Sequence, residues 1–276
     1  MNGLFSPAVF LVTVVLAVLY FSVVGPLSRR VAGAEPTSLK KKSLFVIGLL
    51  LFYLGLGPVH YFAQTFFSAY VLEQATVNIV MPVFILLGLP AWLIHSVFRT
   101  KKSRLLLRVF TVTPVAMLLF DGLFSISLLP AVFNRLMENS YLYGISRLLL
   151  LFAAFCTWWP ILTPVKEWRL PDIQKVGFLV VSGLLLFPIS MYLLFADAPL
   201  YAAYQTVPEV YPGYTALDDQ QLGSIILKIF QVVVYTCVFF SIFKSWYRKE
   251  GSLSATDAID EPISPDAIAA MPQQRS

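Results

Sequence analysis

The chain has 276 residues, of which 58% are hydrophobic and 13% charged, with a net charge of +5 and a mean hydropathy of +0.77. A soluble domain of this length carries roughly 25% charged residues to cover its surface, so lipid must replace about half of that solvation. The basic balance does not indicate nucleic acid, because Lys and Arg fall in short runs between apolar segments rather than on one face among exposed aromatics.

Apolar stretches of about 20 residues cross a hydrocarbon core of about 30 Å as helices. By that rule the candidates are 6–27, 43–62, 66–96, 105–129, 141–163, 176–196 and 221–246. The fold class is therefore all-α, a polytopic membrane helix bundle with about seven transmembrane helices. No basic residue precedes the first span and Arg29 and Arg30 follow it, which is the reverse of a secretory signal, so it reads as a retained span. Residues 1–249 form the transmembrane domain. From about Glu250 the chain turns to Ser, Asp, Pro, Ala and Gln, so 250–276 is expected to be a disordered cytoplasmic tail.

Seventeen of the 20 lysines and arginines fall in one alternating set of connections, the first being Arg29, Arg30 and Lys40 to Lys42. The complementary set carries only Arg135, and Arg147 and Lys228 lie inside spans. By the positive-inside rule the N-terminus is outside and the C-terminus cytoplasmic. Trp92, Trp158, Trp159 and Trp246 fall at the cytoplasmic ends of their spans and Trp168 in a cytoplasmic loop, as interfacial anchors do. Pro82, Pro90, Pro114 and Pro188 are expected to kink the third, fourth and sixth spans. Cys156 and Cys237 stand singly in apolar runs and read as packing residues.

The third span, FFSAYVLEQATVNIVMPVFILLGLP, carries Glu73, Gln74 and Asn78 where hydrocarbon makes polar groups costly. Asp121, Arg147 and Lys228 lie about as far in from the same end of their own spans, roughly 10 Å at 1.5 Å per residue. Two negative and two positive groups at one level predict an ion-pair network joining the third, fourth, fifth and seventh spans. Tyr70, one turn before Gln74, and Tyr143, one turn before Arg147, thicken this intramembrane polar cluster. His60 reads as an ordinary interfacial histidine and His95 as an anchor at the opposite face, so the two cannot share a metal.

No Walker lysine loop, G-x-S-x-G elbow, H-E-x-x-H pair or dinucleotide glycine fingerprint occurs in a plausible context, so the chain does not read as an enzyme and no catalytic residue is assigned. A permease for a metal ion or small solute is the alternative, but spans three and five turn strongly apolar beyond the cluster.

The third-span segment, FCTWWPIL at 155–162, LLFADAPLYAAY at 193–204 and LDDQQLGSIILK at 217–228 resemble, in order and spacing, the multi-pass CtaG family. The resemblance covers about residues 5 to 247. It implies an assembly factor in the bacterial cell membrane, with caa-type cytochrome c oxidase subunits and the lipid bilayer as partners. It also makes copper possible, but Tyr70, Tyr143 and Gln64 stand where members of the family carry histidines, and phenol and amide are poor copper ligands. Metal binding is therefore not carried over, and the chain reads as a divergent paralogue.

Overall fold

The computed structural model describes residues 4–260 apart from 32, 207 and 209. Ten α-helices, three short 3-10 helices and no strand occur among them as grouped here: α1 (Pro7–Val24), α2 (Leu39–Ala63), α3 (Phe67–Gly88), α4 (Ala91–Val97), α5 (Lys101–Thr111), α6 (Thr113–Ser127), α7 (Pro130–Glu138), α8 (Ser140–Leu162), α9 (Asp172–Leu194) and α10 (Ala216–Asp260). Six of these contain a stretch long and apolar enough to cross a membrane, and α5 with α6, bent by 65°, passes the same measure when the two are taken together, giving six to seven spans. The expected count of about seven therefore holds. α10 stays helical to Asp260, and residues 261–276 of the expected tail lie outside the described residues.

Proline sets the breaks. Leu89 is extended (ψ 133°) ahead of Pro90, so the expected third span ends at Gly88 and the remainder becomes the separate helix α4. Val112 is likewise out of helical geometry (ψ 127°) two residues before Pro114, which is where the bend between α5 and α6 falls. Three spans also widen into i→i+5 turns, at Gly55–Val59, Ala75–Val80 and Leu118–Gly122. Such turns gather at functional sites, and here each adjoins or contains a polar residue: His60, Gln74 and Asp121 respectively.

α2 and α3 approach closely because a glycine on each leaves room for a larger residue of the other, Gly48 for Ile85 and Gly88 for Phe45. A Cβ on Gly88 would lie 2.7 Å from both the backbone nitrogen and the Cβ of Phe45. Tyr20 of α1 closes the same corner by donating to the Gly88 carbonyl at 2.9 Å and stacking on Phe45 with centroids 3.7 Å apart. The core beyond is aromatic, with Phe67, Phe120, Phe124, Phe133 and Trp158 all buried. Trp158 and Trp159 thus depart from the interfacial role expected of them: both turn inward, and Trp158 meets the Tyr235 ring edge-on at 5.5 Å. Trp246 is 46% exposed and does face outward.

The connection between α9 and α10 folds back over one end of the bundle. Tyr201 donates to the Leu128 carbonyl and Tyr204 to that of Ala63, each at 2.6 Å. Tyr201 also stacks on Phe67 at 4.4 Å, so this connection supplies two core residues. We call this the loop end, and the opposite one, where Lys41, Arg104 and Arg169 gather, the basic end.

Candidate functional site

The loop end of α3 begins with an unusual cap. Its first amides, from Phe67 and Ser68, would be orphaned in an apolar setting. Asp219 of α10 accepts both, at 2.6 and 3.4 Å, and also accepts the Ser68 hydroxyl and the Tyr214 phenol. Its carboxylate is fully buried and sits at the positive end of the helix dipole. Beside it, Gln220 accepts from Leu200 N–H and donates to the Leu193 carbonyl, which fixes the start of the folded-back connection.

One turn and a half into α3, Glu73 is fully buried. Arg147 of α8 makes an ion pair with its Oε1, and His60 of α2 places Nδ1 3.0 Å from its Oε2. Nδ1 also lies 3.4 Å from an Arg147 Nη. Because a guanidinium only donates, the arrangement that satisfies all three groups has Nδ1–H donating to Glu73, which leaves Nε2 with its lone pair. Arg147 donates to the Tyr143 hydroxyl at 2.6 Å and lies over that ring at 5.2 Å from its centroid. Three spans are thereby joined through one carboxylate, with its cation 18% and its imidazole 34% exposed.

Tyr70 completes the wall. It is buried edge-on against Phe133 at 5.2 Å, within electrostatic reach of Arg147. In the folded-back connection, burial holds the phenols of Tyr201 and Tyr204 well above the ordinary tyrosine range, so both remain neutral donors.

The four-charge network expected from the sequence divides. Glu73 and Arg147 meet, with Tyr143 on the arginine, but among the described residues neither Asp121 nor Lys228 has an ion-pair partner. Asp121 accepts from Ser182 at 3.1 Å, and that hydroxyl lies 2.8 Å from Tyr235 OH. Lys228 donates to Gln231 at 2.8 Å and lies over the Phe187 ring at 5.0 Å. The physical reason is angular: residues at like depth meet only if their helix faces converge, and depth alone does not set the face. Gln74 also departs from the cluster, accepting from Asn78 within its own helix at 2.8 Å.

His60 is the residue that reading of the sequence undervalued. Its signal was its place at the end of α2, one short turn from α3, which antiparallel packing brings level with Glu73. Asp219, unassigned from the sequence, likewise proves central to the loop end.

A bundle of about seven membrane helices, tied at one end by a buried Glu–Arg–His group under an aromatic cap, defines a polytopic membrane protein whose polar centre is closed by internal pairing. The chain belongs to the cytochrome c oxidase caa3 assembly factor family (Caa3_CtaG), whose model matches residues 18–249. Comparison with curated proteins and with solved structures gives no match.

Proposed function

We propose that this protein is a non-catalytic assembly factor for caa3-type cytochrome c oxidase, held in a bacterial cell membrane with its N-terminus outside and engaging oxidase subunits from the loop end. Family membership over residues 18–249 carries the reading. The charge distribution supports the orientation, since 17 of the 20 lysines and arginines belong to connections at the basic end or to the tail. The internal pairing of Glu73, Arg147, His60 and Tyr143 suits a site that holds α2, α3 and α8 in one arrangement for a partner to dock against.

The reading includes no copper. At the loop end the only imidazole is that of His60, with Glu73 on its Nδ1, while the Arg147 guanidinium neutralises the same carboxylate. A copper ion there would meet a fixed cation and hard phenol donors, so the residues present do not fit it. A permease would need polar lining through the bundle, and α3 continues from Asn78 only with apolar side chains, through Met81–Gly88.

The test is deletion of the gene and complementation, scored as caa3 oxidase activity per oxidase subunit made. The wild-type gene restores activity, and Tyr70→His or Tyr143→His gives no gain. Normal oxidase activity in the deletant refutes the assignment.

A further inference from the structure

At the basic end, α5, the end of α8 and the segment after it enclose a cavity of about 600 Å³. Arg104, Arg108 and Arg169 line it, with the rings of Trp159 and Trp168 and a single acid, Glu167. Two of the guanidiniums are fixed through Nε: Arg104 donates to the Phe98 carbonyl at 2.8 Å and Arg169 to that of Thr163 at 2.6 Å. Both Nη groups of each are left without a partner among the described residues. No ion pair among those residues involves any of the three arginines or Glu167. All three arginines are exposed, but they share one concavity and two of them are held there by backbone carbonyls.

We propose that this cavity is a binding site for a phosphate-ester anion. Guanidinium Nη pairs match phosphate oxygens bidentately, and an anion would balance three arginines that have one acid, Glu167, among them. Two sources can supply that chemistry, an anionic lipid headgroup or a free phosphate. The surroundings favour the lipid: Val112 lines the cavity and is 45% exposed, and Leu105 and Val109 on the adjoining helix are 63% and 51% exposed, an apolar surface along which acyl chains can lie. Basic pockets between membrane helices near an interface take phospholipid headgroups on the same physical grounds.

The test uses the full chain purified in a neutral detergent, with the fluorescence of its tryptophans, two of which line the cavity, as readout. Short-chain phosphatidylglycerol, short-chain phosphatidylcholine and inorganic phosphate are titrated separately. A lipid site gives saturable change with phosphatidylglycerol alone, and a free-phosphate site gives it with inorganic phosphate as well; either result upholds the proposal and identifies the source. Arg108→Gln, which removes a side chain with no internal hydrogen bond, weakens binding about tenfold, and adding Arg169→Gln weakens it about tenfold again. Arg29→Gln with Lys40→Gln removes the same charge from outside the cavity and leaves affinity within about twofold. Equal loss in that control, or unchanged affinity in Arg108→Gln, overturns the proposal.

Discussion

Arg147 of α8 neutralises Glu73 of α3 across the bundle, and His60 of α2 takes the other carboxylate oxygen. Glu73 is fully buried and Arg147 mostly so, and breaking one partner of such a pair leaves an uncompensated buried charge, which costs about 3–5 kcal/mol. Glu73→Gln and Arg147→Gln should therefore each lower the thermal stability of the purified protein strongly. Exchanging the two, Glu73→Arg with Arg147→Glu, should recover part of the loss. Additive losses in that double-mutant cycle would show that the side chains do not act on each other.

Tyr201 and Tyr204 donate into the bundle from the connection that covers it, to carbonyls at the ends of α6 and α2. Tyr204→Phe keeps the ring and removes the donor, leaving the Ala63 carbonyl unpaired at a cost of about 1–3 kcal/mol. Tyr201→Ala also removes the stack on Phe67, and a large aromatic lost from a core costs about 3–5 kcal/mol. Limited proteolysis of the connection should be slightly faster in the first variant and much faster in the second. Equal resistance in Tyr201→Ala would mean that the cap is not held by that ring.

The number of spans and their rough limits were legible in the sequence, because a 20-residue apolar run has few alternatives in lipid. Faces were not. Glu73 and Arg147 could be paired by charge and depth, yet the same reasoning wrongly added Asp121 and Lys228, which find Ser182 and Gln231 instead. The i→i+5 turns explain part of this, since each inserted residue rotates the remainder of its helix by about 100° and removes the simple periodicity on which a face is read. The capping tyrosines were hidden for another reason: their partners are backbone carbonyls, which carry no sequence signature.

Gly88 tests the packing of α2 on α3. A methyl there would stand 2.7 Å from Phe45 backbone nitrogen, which has no rotamer to yield. Gly88→Ala should cost about 1–3 kcal/mol through forced separation of the helices and disturbance of the bond from Tyr20 of α1 to the Gly88 carbonyl. At Gly183, where the nearest atom to an added Cβ is Gln231 Nε2 at 4.0 Å, the same substitution should be neutral or mildly stabilising. Thermal unfolding of the two variants side by side separates close approach from a general intolerance of alanine.

Asp219 makes the sharpest case, because four donors converge on a carboxylate with no exposure. Asp219→Ala removes the cap of α3 and strands the Phe67 and Ser68 amides, a loss of about 3–5 kcal/mol when the cap and the buried donors are taken together. Asp219→Asn keeps one oxygen but turns an amide nitrogen towards donors, and should fall between. Hydrogen exchange should quicken first at Phe67 and Ser68 while α1 is unaffected. Tyr214 supplies an independent readout, since burial, helped by its bond to Asp219, holds its phenol above the ordinary range. The stability this contributes is complete below the unfolded tyrosine value of about 10 and is lost as pH rises through the higher folded value. In Asp219→Ala the Tyr214 phenol should ionise at lower pH, visible as earlier phenolate absorbance, and an unmoved titration would show that the carboxylate does not hold it.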